Sequence, residues 1–377
     1  MKKSNLGLAA CAAFSLGFGA TEVHAQSSVT LYGMVDVNVR SIHNGGGGTV
    51  VGMGEGTLNA SRFGFKGIED LSGGWKAGFV LESGFRPYNG AQSDANRLFN
   101  RRATVSMIND NYGELRLGRD NSPAYWNLIM FDPYGGGGVG SFINLFTAGG
   151  FSTPLLSGAG TLSRTDNSIT YWLPKNLGGV YGQFQYSFNN SPGFAGSATG
   201  YGNKQWGGRL GYANGPLDVA AVVNSTQLDG NNTWNLYDIG ASYMIGRTRV
   251  MAQYSFMNTS ITDSWEKRSG QHTFMIGATI PIYDYTITTS YSHAQGTGGL
   301  SDLRADMYAL GGILDLSKRT ALYANVAAIK NRSKAAYITG PEAKVTPSSF
   351  KANGAYTPGN MAGKSSVGME LGIRTIF

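Results

Sequence analysis

The sequence predicts an all-β fold, a sixteen-stranded antiparallel transmembrane β-barrel. Three observations predict it. Apolar and polar residues alternate with a period of two, in segments of about ten residues, from residue 29 to the C-terminus. The segments are even in number, and short turns alternate with longer Gly/Ser/Asn-rich loops between them, as in barrels of bacterial outer membranes. The composition agrees: 56 of 377 residues are Gly and 12% are aromatic, while 14% are charged, against about 25% in an average globular protein. The Gly content has no G-X-Y period, which excludes collagen, and 41% apolar residues with 11 Pro argue against a disordered chain. After residue 25 no uncharged apolar run reaches the roughly 18 residues of a helical span, so strands are left to cross a membrane.

The first 25 residues read as a secretory signal peptide. Lys2 and Lys3 precede a mostly apolar stretch from Leu6 to Ala20, and Val23-His24-Ala25 has the small-residue pattern of a signal peptidase site before Gln26. A lipoprotein reading, with Cys11 lipidated after Leu8-Ala9-Ala10, would cut this apolar core at its beginning. Cleavage after Ala25 leaves a single barrel domain, 26–377, without cysteine. Its formal charge falls from +7 to +6 because Lys2, Lys3 and Glu22 leave together. The exported chain then has no disulfide, thiolate ligand or thiol nucleophile.

The first strand spans 29–40, where Val29, Leu31, Gly33, Val35, Val37 and Val39 share one face and Thr30, Tyr32, Met34, Asp36, Asn38 and Arg40 the other. Segments 58–69 and 74–85 flank the turn Asp70-Leu71-Ser72-Gly73, with Ala77, Phe79 and Leu81 set against Lys76, Gly78, Val80 and Glu82. Segments 97–109 and 113–119 flank Asn109-Asp110-Asn111-Tyr112. After a long connection come 164–174 and 179–190, the second with Gln183, Gln185 and Ser187 opposite Phe184, Tyr186 and Phe188. The turn Ala213-Asn214-Gly215-Pro216 joins 204–213 to 217–227, and Ile245-Gly246 joins 234–245 to 247–258. The remaining segments are 270–281, 283–294, 304–315, 319–331 and 364–377. In the last, Val367, Met369, Leu371, Ile373 and Phe377 share a face. Its pairing with 29–40 would close the sheet and leave none of the edges that lipid excludes.

A soluble sandwich or small barrel shows the same alternation with its apolar face buried. Size separates the two, since sixteen strands in one ring leave an interior too wide for side chains to fill. The faces opposite the apolar ones are polar or Gly, as a water-filled lumen requires. Tyr171-Trp172, Tyr186, Phe188, Tyr243 and Tyr254 stand near the ends of apolar faces, where girdles at the membrane boundary sit.

No motif marks an enzyme, a cofactor or a metal. His43, His272 and His293 lie far apart, without cysteine and without H-E-x-x-H spacing. Gly45 to Gly48 and Gly135 to Gly138 lack the Lys-Ser/Thr of a phosphate loop and read as loop glycines.

Six motifs occur in order: Leu31-Tyr32-Gly33; Ser61-Arg62-Phe63-Gly64-Phe65-Lys66-Gly67 followed by Glu69-Asp70-Leu71; Leu117-Gly118-Arg119; Asp166-Asn167-Ser168-Ile169-Thr170-Tyr171; Leu316-Ser317-Lys318-Arg319-Thr320 with Leu322-Tyr323; and Gly372-Ile373-Arg374 with the terminal Phe377. Together they resemble the general porins of Gram-negative bacteria, of the β-proteobacterial kind, over the whole mature chain. The resemblance implies a passive outer-membrane channel for small anionic or neutral solutes and a homotrimer. It implies outer-membrane lipid, lipopolysaccharide and the assembly machinery as partners, with Phe377 as the C-terminal assembly signal. It also implies that the longest connection, about 120–163, folds into the lumen as a constriction loop facing a basic cluster on the wall. Composition shows only that this loop is too apolar to be left in water, with Asp120 and Asp132 its acids.

Parity places several basic residues on the polar face. Arg62 shares a face with Gly64 and Lys66, Arg102 with Thr104 and Ser106, and Arg116 alternates with Leu115 and Leu117. Arg119 breaks parity, so its direction depends on a bend or bulge near Gly118, and it is carried over from the Leu-Gly-Arg motif. Arg164 enters from the next strand. Such a ladder raises the local anion concentration, because low-dielectric walls focus the field. An opposing expectation is that these arginines are solvated or paired with Glu82, Glu114 or Asp36. The +6 charge also includes outer-loop residues such as Lys334, Lys344, Lys351 and Lys364. A nucleic-acid partner is not expected, since the charges are scattered over separate strands. A solute-specific channel for phosphate or organic acids, and a surface adhesin or structural barrel without an open pore, remain as alternatives.

Overall fold

The computed structural model describes residues 28–147, 162–188, 204–227, 233–262, 268–340, 349–350, 356–357 and 361–377. The expected signal peptide, Lys344, Lys351 and part of the long connection lie outside the described residues. The strands are β1 (Ser28–Asn44), β2 (Gly48–Glu55), β3 (Arg62–Asp70), β4 (Trp75–Gly84), β5 (Arg102–Asn109), β6 (Gly113–Asn121), β7 (Arg164–Trp172), β8 (Val180–Ser187) and β9 (Gln205–Asn214). They continue as β10 (Leu217–Gln227), β11 (Thr233–Ile245), β12 (Thr248–Thr262), β13 (Arg268–Ile282), β14 (Tyr285–Thr297), β15 (Leu303–Asp315) and β16 (Thr320–Ser333). A two-residue pair, β17 (Ser349–Phe350) with β18 (Tyr356–Thr357), stands apart from the wall, and β19 (Ser366–Ile376) completes it.

Every neighbouring pair in the wall is antiparallel, and β19 pairs with both β16 and β1, Val39 opposite Leu371. The sheet is therefore closed. The terminal residue joins the closure: Phe377 and Gly33 exchange backbone hydrogen bonds of 3.0 Å in both directions. A side chain at Gly33 would meet the Phe377 ring, so glycine lets the last aromatic lie against the first strand.

One strand position is split. β1 pairs with β2 from Asn44↔Gly48 to Val37↔Glu55 and with β3 from Met34↔Arg62 to Ser28↔Ile68. Residues 56–61 step out between them, tied down by Asp36, whose Oδ2 accepts from the backbone N–H groups of Leu58 and Asn59 at 2.8 and 2.9 Å. By position the wall has sixteen strands. The expected segment 58–69 thus begins only at Arg62, and within 41–57, expected as a loop, residues 41–44 continue β1 and 48–55 form β2. The hairpin turns at Gly45-Gly46-Gly47, where the positive φ of Gly46 and Gly48 suits glycine.

The solvent arrangement is inverted relative to a soluble protein. Outward-facing Val29, Leu31, Val105, Phe184, Leu210 and Leu371 are exposed, whereas inward-facing Asp36, Asn38, Arg40, Gln185, Asn224, Gln253 and Glu370 are buried. Only a wall in contact with hydrocarbon is stable that way round. No helix among the described residues is long and apolar enough to cross a membrane. Tyr171, Phe188, Tyr243 and Tyr254 face outward as expected. Trp172 does not: its ring turns inward, edge to face with Trp126 at 6.1 Å and 5.0 Å from the Arg116 guanidinium.

Candidate functional site

The connection after β6 enters the barrel. Ser122 caps its first helix, α1 (Pro123–Met130), accepting from the Tyr125 N–H at 3.1 Å, while Pro123 occupies a position that needs no donor. The helix lies against β8 to β11. Asn127 donates to Asp238 Oδ1 at 2.5 Å and accepts from Arg209 Nε at 2.7 Å, and Gln253 donates to the Asn127 carbonyl at 3.2 Å. Arg249 donates to the Met130 carbonyl at 3.1 Å, which satisfies an orphan group at the helix C-terminus. Beyond α1, Phe131 fills the space over Gly240, the Tyr134 hydroxyl donates to the Thr288 carbonyl at 3.1 Å, and Val139 N–H donates to Glu370 at 3.2 Å. The loop continues through α2 (Asn144–Thr147). It thus lines the wall from β8 round to β19 and leaves the wall from β3 to β7 open to the lumen.

That open wall carries the arginines. Across neighbouring strands Arg62 stands opposite Gly84, Arg102 opposite Glu82, Arg119 opposite Ala103, and Arg164 opposite Asn121. Glu82 is shared, with Arg101 Nε at 2.8 Å, Arg62 Nε at 3.6 Å and the Tyr32 hydroxyl at 3.1 Å. Arg102 donates to Thr104 at 3.0 Å, and its nearest carboxylate, Asp120, is 3.9 Å away. Asp166 joins Arg119 and Arg97, the latter at 2.9 Å. Arg164 has no carboxylate within ion-pair distance among the described residues. Its Nε donates to the Arg101 carbonyl at 3.0 Å and its guanidinium lies over the Tyr125 ring.

Arg62, Arg102, Arg119 and Arg164 therefore share one level of the barrel opposite α1. Arg116 and Lys66 stand nearer the short-turn end, beside a cleft they line with Arg102 and Glu114. Arg116 is held by Glu114 at 2.8 and 2.9 Å and by Asp120, so its charge is locally balanced. Lys66 approaches the Tyr32 ring at 5.4 Å. Arg119 turns inward through the bulge its broken parity calls for: the β6–β7 register shifts between Gly118 and Asp120, and Gly118 takes φ +122°. Asp36, considered above as an arginine partner, instead binds the Tyr323 hydroxyl and the 56–61 segment.

Asp132 does not face the opening. It accepts from Tyr134 and Gly136 N–H at 3.0 and 3.1 Å, from Ser141 at 2.9 Å and from Phe142 N–H at 3.2 Å, folding the loop around itself. Burial outweighs these donors and pushes its carboxyl up to about 6.

Several lumen arginines escape the sequence reading, Arg97, Arg101 and Arg209 among them. Arg101 precedes Arg102, so strict alternation sends it outward, but β5 begins only at Arg102 and the bend before it aims both inward. Arg97 lies in the connection leading to β5. Arg209 was available to parity, sharing its face with Gln205, Gly207 and Gly211; it stacks 4.8 Å over Tyr181 beneath α1. No group of three or more metal-ligating side chains occurs among the described residues.

Comparison with known proteins agrees with this geometry. A family model described as Gram-negative porin matches residues 7–334. Outer membrane porin protein 32 of Delftia acidovorans is 35% identical over 100% of both chains. An outer membrane porin protein of Bordetella pertussis is 29% identical over 88% of this chain and 95% of that one. Among solved structures, the anion-selective porin from Comamonas acidovorans matches with a TM-score of 0.75 at 31% identity, over 93% of this chain and 100% of that one. A trimer form of OmpT from Vibrio cholerae matches with a TM-score of 0.59 at 13% identity, over 93% and 99%, a likeness of fold alone. An inverted sixteen-strand barrel with an inward loop, matched over its length by these sequences, belongs to the Gram-negative porin family: it is a non-enzymatic channel of the outer membrane.

Proposed function

We propose that this porin is a passive, water-filled channel for small hydrophilic solutes that favours anions. The observation that carries the reading is the asymmetry of the constriction. One side presents Arg62, Arg101, Arg102, Arg119 and Arg164; the other presents α1, which has no acidic residue in its first turn. The loop's acid beyond the helix, Asp132, is enclosed by its own hydrogen bonds, and Glu82, Glu114, Asp120 and Asp166 stand among the arginines they pair with. Arg164, with no carboxylate partner among the described residues, keeps its field for a passing ion, and guanidinium stays charged at any accessible pH. Lys66 and Arg116 stand below as a second, weaker basic step. The 31% identical anion-selective structure supports the same reading.

The mature protein is proposed to begin at Gln26, to use Phe377 as its assembly signal and to assemble as a homotrimer, consistent with the solved trimer form of a fold relative. Salt replacement in a planar bilayer tests the preference. Exchanging KCl for potassium acetate, which slows the anion, should lower single-channel conductance more than exchanging KCl for lithium chloride, which slows the cation. The reverse order would refute the reading, and conductance that saturates with one organic anion would favour a solute-specific channel.

A further inference from the structure

A water-filled lumen is served by polar residues and Gly, yet one inward row of the wall also carries large apolar and aromatic side chains. By register Ile108, Glu114, Trp172, Gln183 and Arg209 stand side by side from β5 to β9. Trp172 meets a second indole, Trp126 of α1, edge to face at 6.1 Å. Tyr181, two residues before Gln183 on β8, lies a step nearer the short-turn end, which is the periplasmic one. Each of these wall rings carries a guanidinium: Arg116 lies 5.0 Å over Trp172 and Arg209 lies 4.8 Å over Tyr181.

Beside the rings the wall opens into a cleft of about 750 Å³, lined by Trp172, Leu173, Pro174 and Tyr181 together with Arg116 and Lys175. That volume falls within the roughly 300–1,000 Å³ of small-molecule clefts. The acids around it are already engaged. Glu114 accepts from Arg116 at 2.8 and 2.9 Å and from Ser106 at 2.6 Å, and Asp110 faces Lys76 at 3.8 Å. Lys175 is exposed and has no carboxylate partner among the described residues, so the uncommitted charge at the cleft is positive. Buried polar groups of a wall are ordinarily paired. Here the Trp172 Nε1 and both amide atoms of Gln183, a residue 3% exposed, have no hydrogen-bond partner among the described residues. An apolar floor does nothing for a passing chloride ion, and its contact with water is unfavourable.

We propose that this cleft is a binding site for aromatic monocarboxylates of one ring, the solute ring lying against Trp172, Leu173 and Pro174 and its carboxylate on Lys175. The ring pair Arg116–Trp172 keeps the indole fixed as a platform, and an indole face favours a flat π system over an aliphatic ring of the same size. The proposal rests on the anion-favouring reading of the pore and narrows it to a class of solute.

The test is single-channel recording of the full mature protein in a planar bilayer in KCl, with benzoate, cyclohexanecarboxylate, acetate or benzyl alcohol added on the short-turn side. Cyclohexanecarboxylate keeps the charge of benzoate without its flat face, and benzyl alcohol keeps the ring without the charge. Benzoate should interrupt the current saturably, at a half-blocking concentration severalfold below that of cyclohexanecarboxylate, whereas acetate and benzyl alcohol should not block. Trp172→Leu should raise the half-blocking concentration of benzoate about tenfold and erase its advantage over cyclohexanecarboxylate. Lys175→Gln, at an exposed turn position that does not bear on folding, should weaken benzoate block severalfold. Lys318→Gln/Arg319→Gln, in a short turn across the barrel, should be blocked as the parent is. Equal block by benzoate and cyclohexanecarboxylate in the parent, or an unchanged half-blocking concentration in either Trp172→Leu or Lys175→Gln, overturns the proposal. The zero-current potential in KCl separates the two readings. An anion-favouring potential without selective benzoate block refutes this site alone, and a cation-favouring potential with that block intact refutes the pore preference alone.

Discussion

Tyr125 of the inward loop lies beneath Arg164 at the start of β7, with the guanidinium carbon 5.9 Å from the ring centroid. The contact joins the two sides of the constriction without neutralising the cation, because a ring face attracts positive charge but carries none. Arg164→Gln should therefore lower the anion-to-cation permeability ratio severalfold. A unit charge about 4 Å from an ion in water is worth about 1 kcal/mol. The zero-current potential checks it; an unchanged value would remove Arg164 from the constriction.

Glu82 predicts a change of the opposite sign. It balances Arg101 at 2.8 Å and Arg62 at 3.6 Å, so Glu82→Gln should free both cations and raise anion preference. The same substitution leaves two arginines close together without their counter-ion. A lower unfolding temperature should accompany the higher selectivity, with a cost below the ~3–5 kcal/mol of a fully buried pair, because these groups are only half-buried.

The loop is held in place by small residues on the wall behind it. A Cβ at Gly240 would collide with the Phe131 ring. Gly240→Val should push the segment after α1 toward the lumen and change single-channel conductance, whereas Gly312→Ala, in β15 where an added Cβ meets nothing and the backbone is ordinary strand, should leave conductance unaltered. Equal conductance in both variants would show that the wall does not position the loop.

Asp132 gives the loop a pH dependence. Its carboxyl is raised from 3.8 to about 6, so the folded loop binds a proton more tightly than the unfolded chain does. The associated stability is complete below about pH 4 and is lost as pH rises through about 6, amounting to about 3 kcal/mol. Current noise from loop movement should accordingly increase between about pH 4 and 6, and Asp132→Asn should remove that dependence. A flat profile in the parent protein would contradict this assignment.

Parity made much of the wall legible. Arg62, Arg102 and Arg116 project inward because the alternation around each is unbroken, and closure of 364–377 on 29–40 follows from apolar faces at both ends. Alternation fails where the backbone departs from regular pleating. The inward turn of Arg119 depends on the Gly118 bulge, and that of Arg101 on the bend before β5. The β2 hairpin is short and Gly-rich, so its pattern resembles a loop. Burial of Asp132 was not legible either, because its donors come from residues up to ten positions away in a loop without periodicity. Anchoring of α1 rests on pairs such as Asn127 and Asp238, 111 residues apart, which no local pattern reveals.

The zero-current potential of the unmodified porin across a planar bilayer, with KCl more concentrated on one side, tests the central claim most directly. An arginine wall facing a loop whose acid is enclosed predicts a potential of the sign set by faster passage of chloride. A potential of the sign set by faster passage of potassium would contradict it.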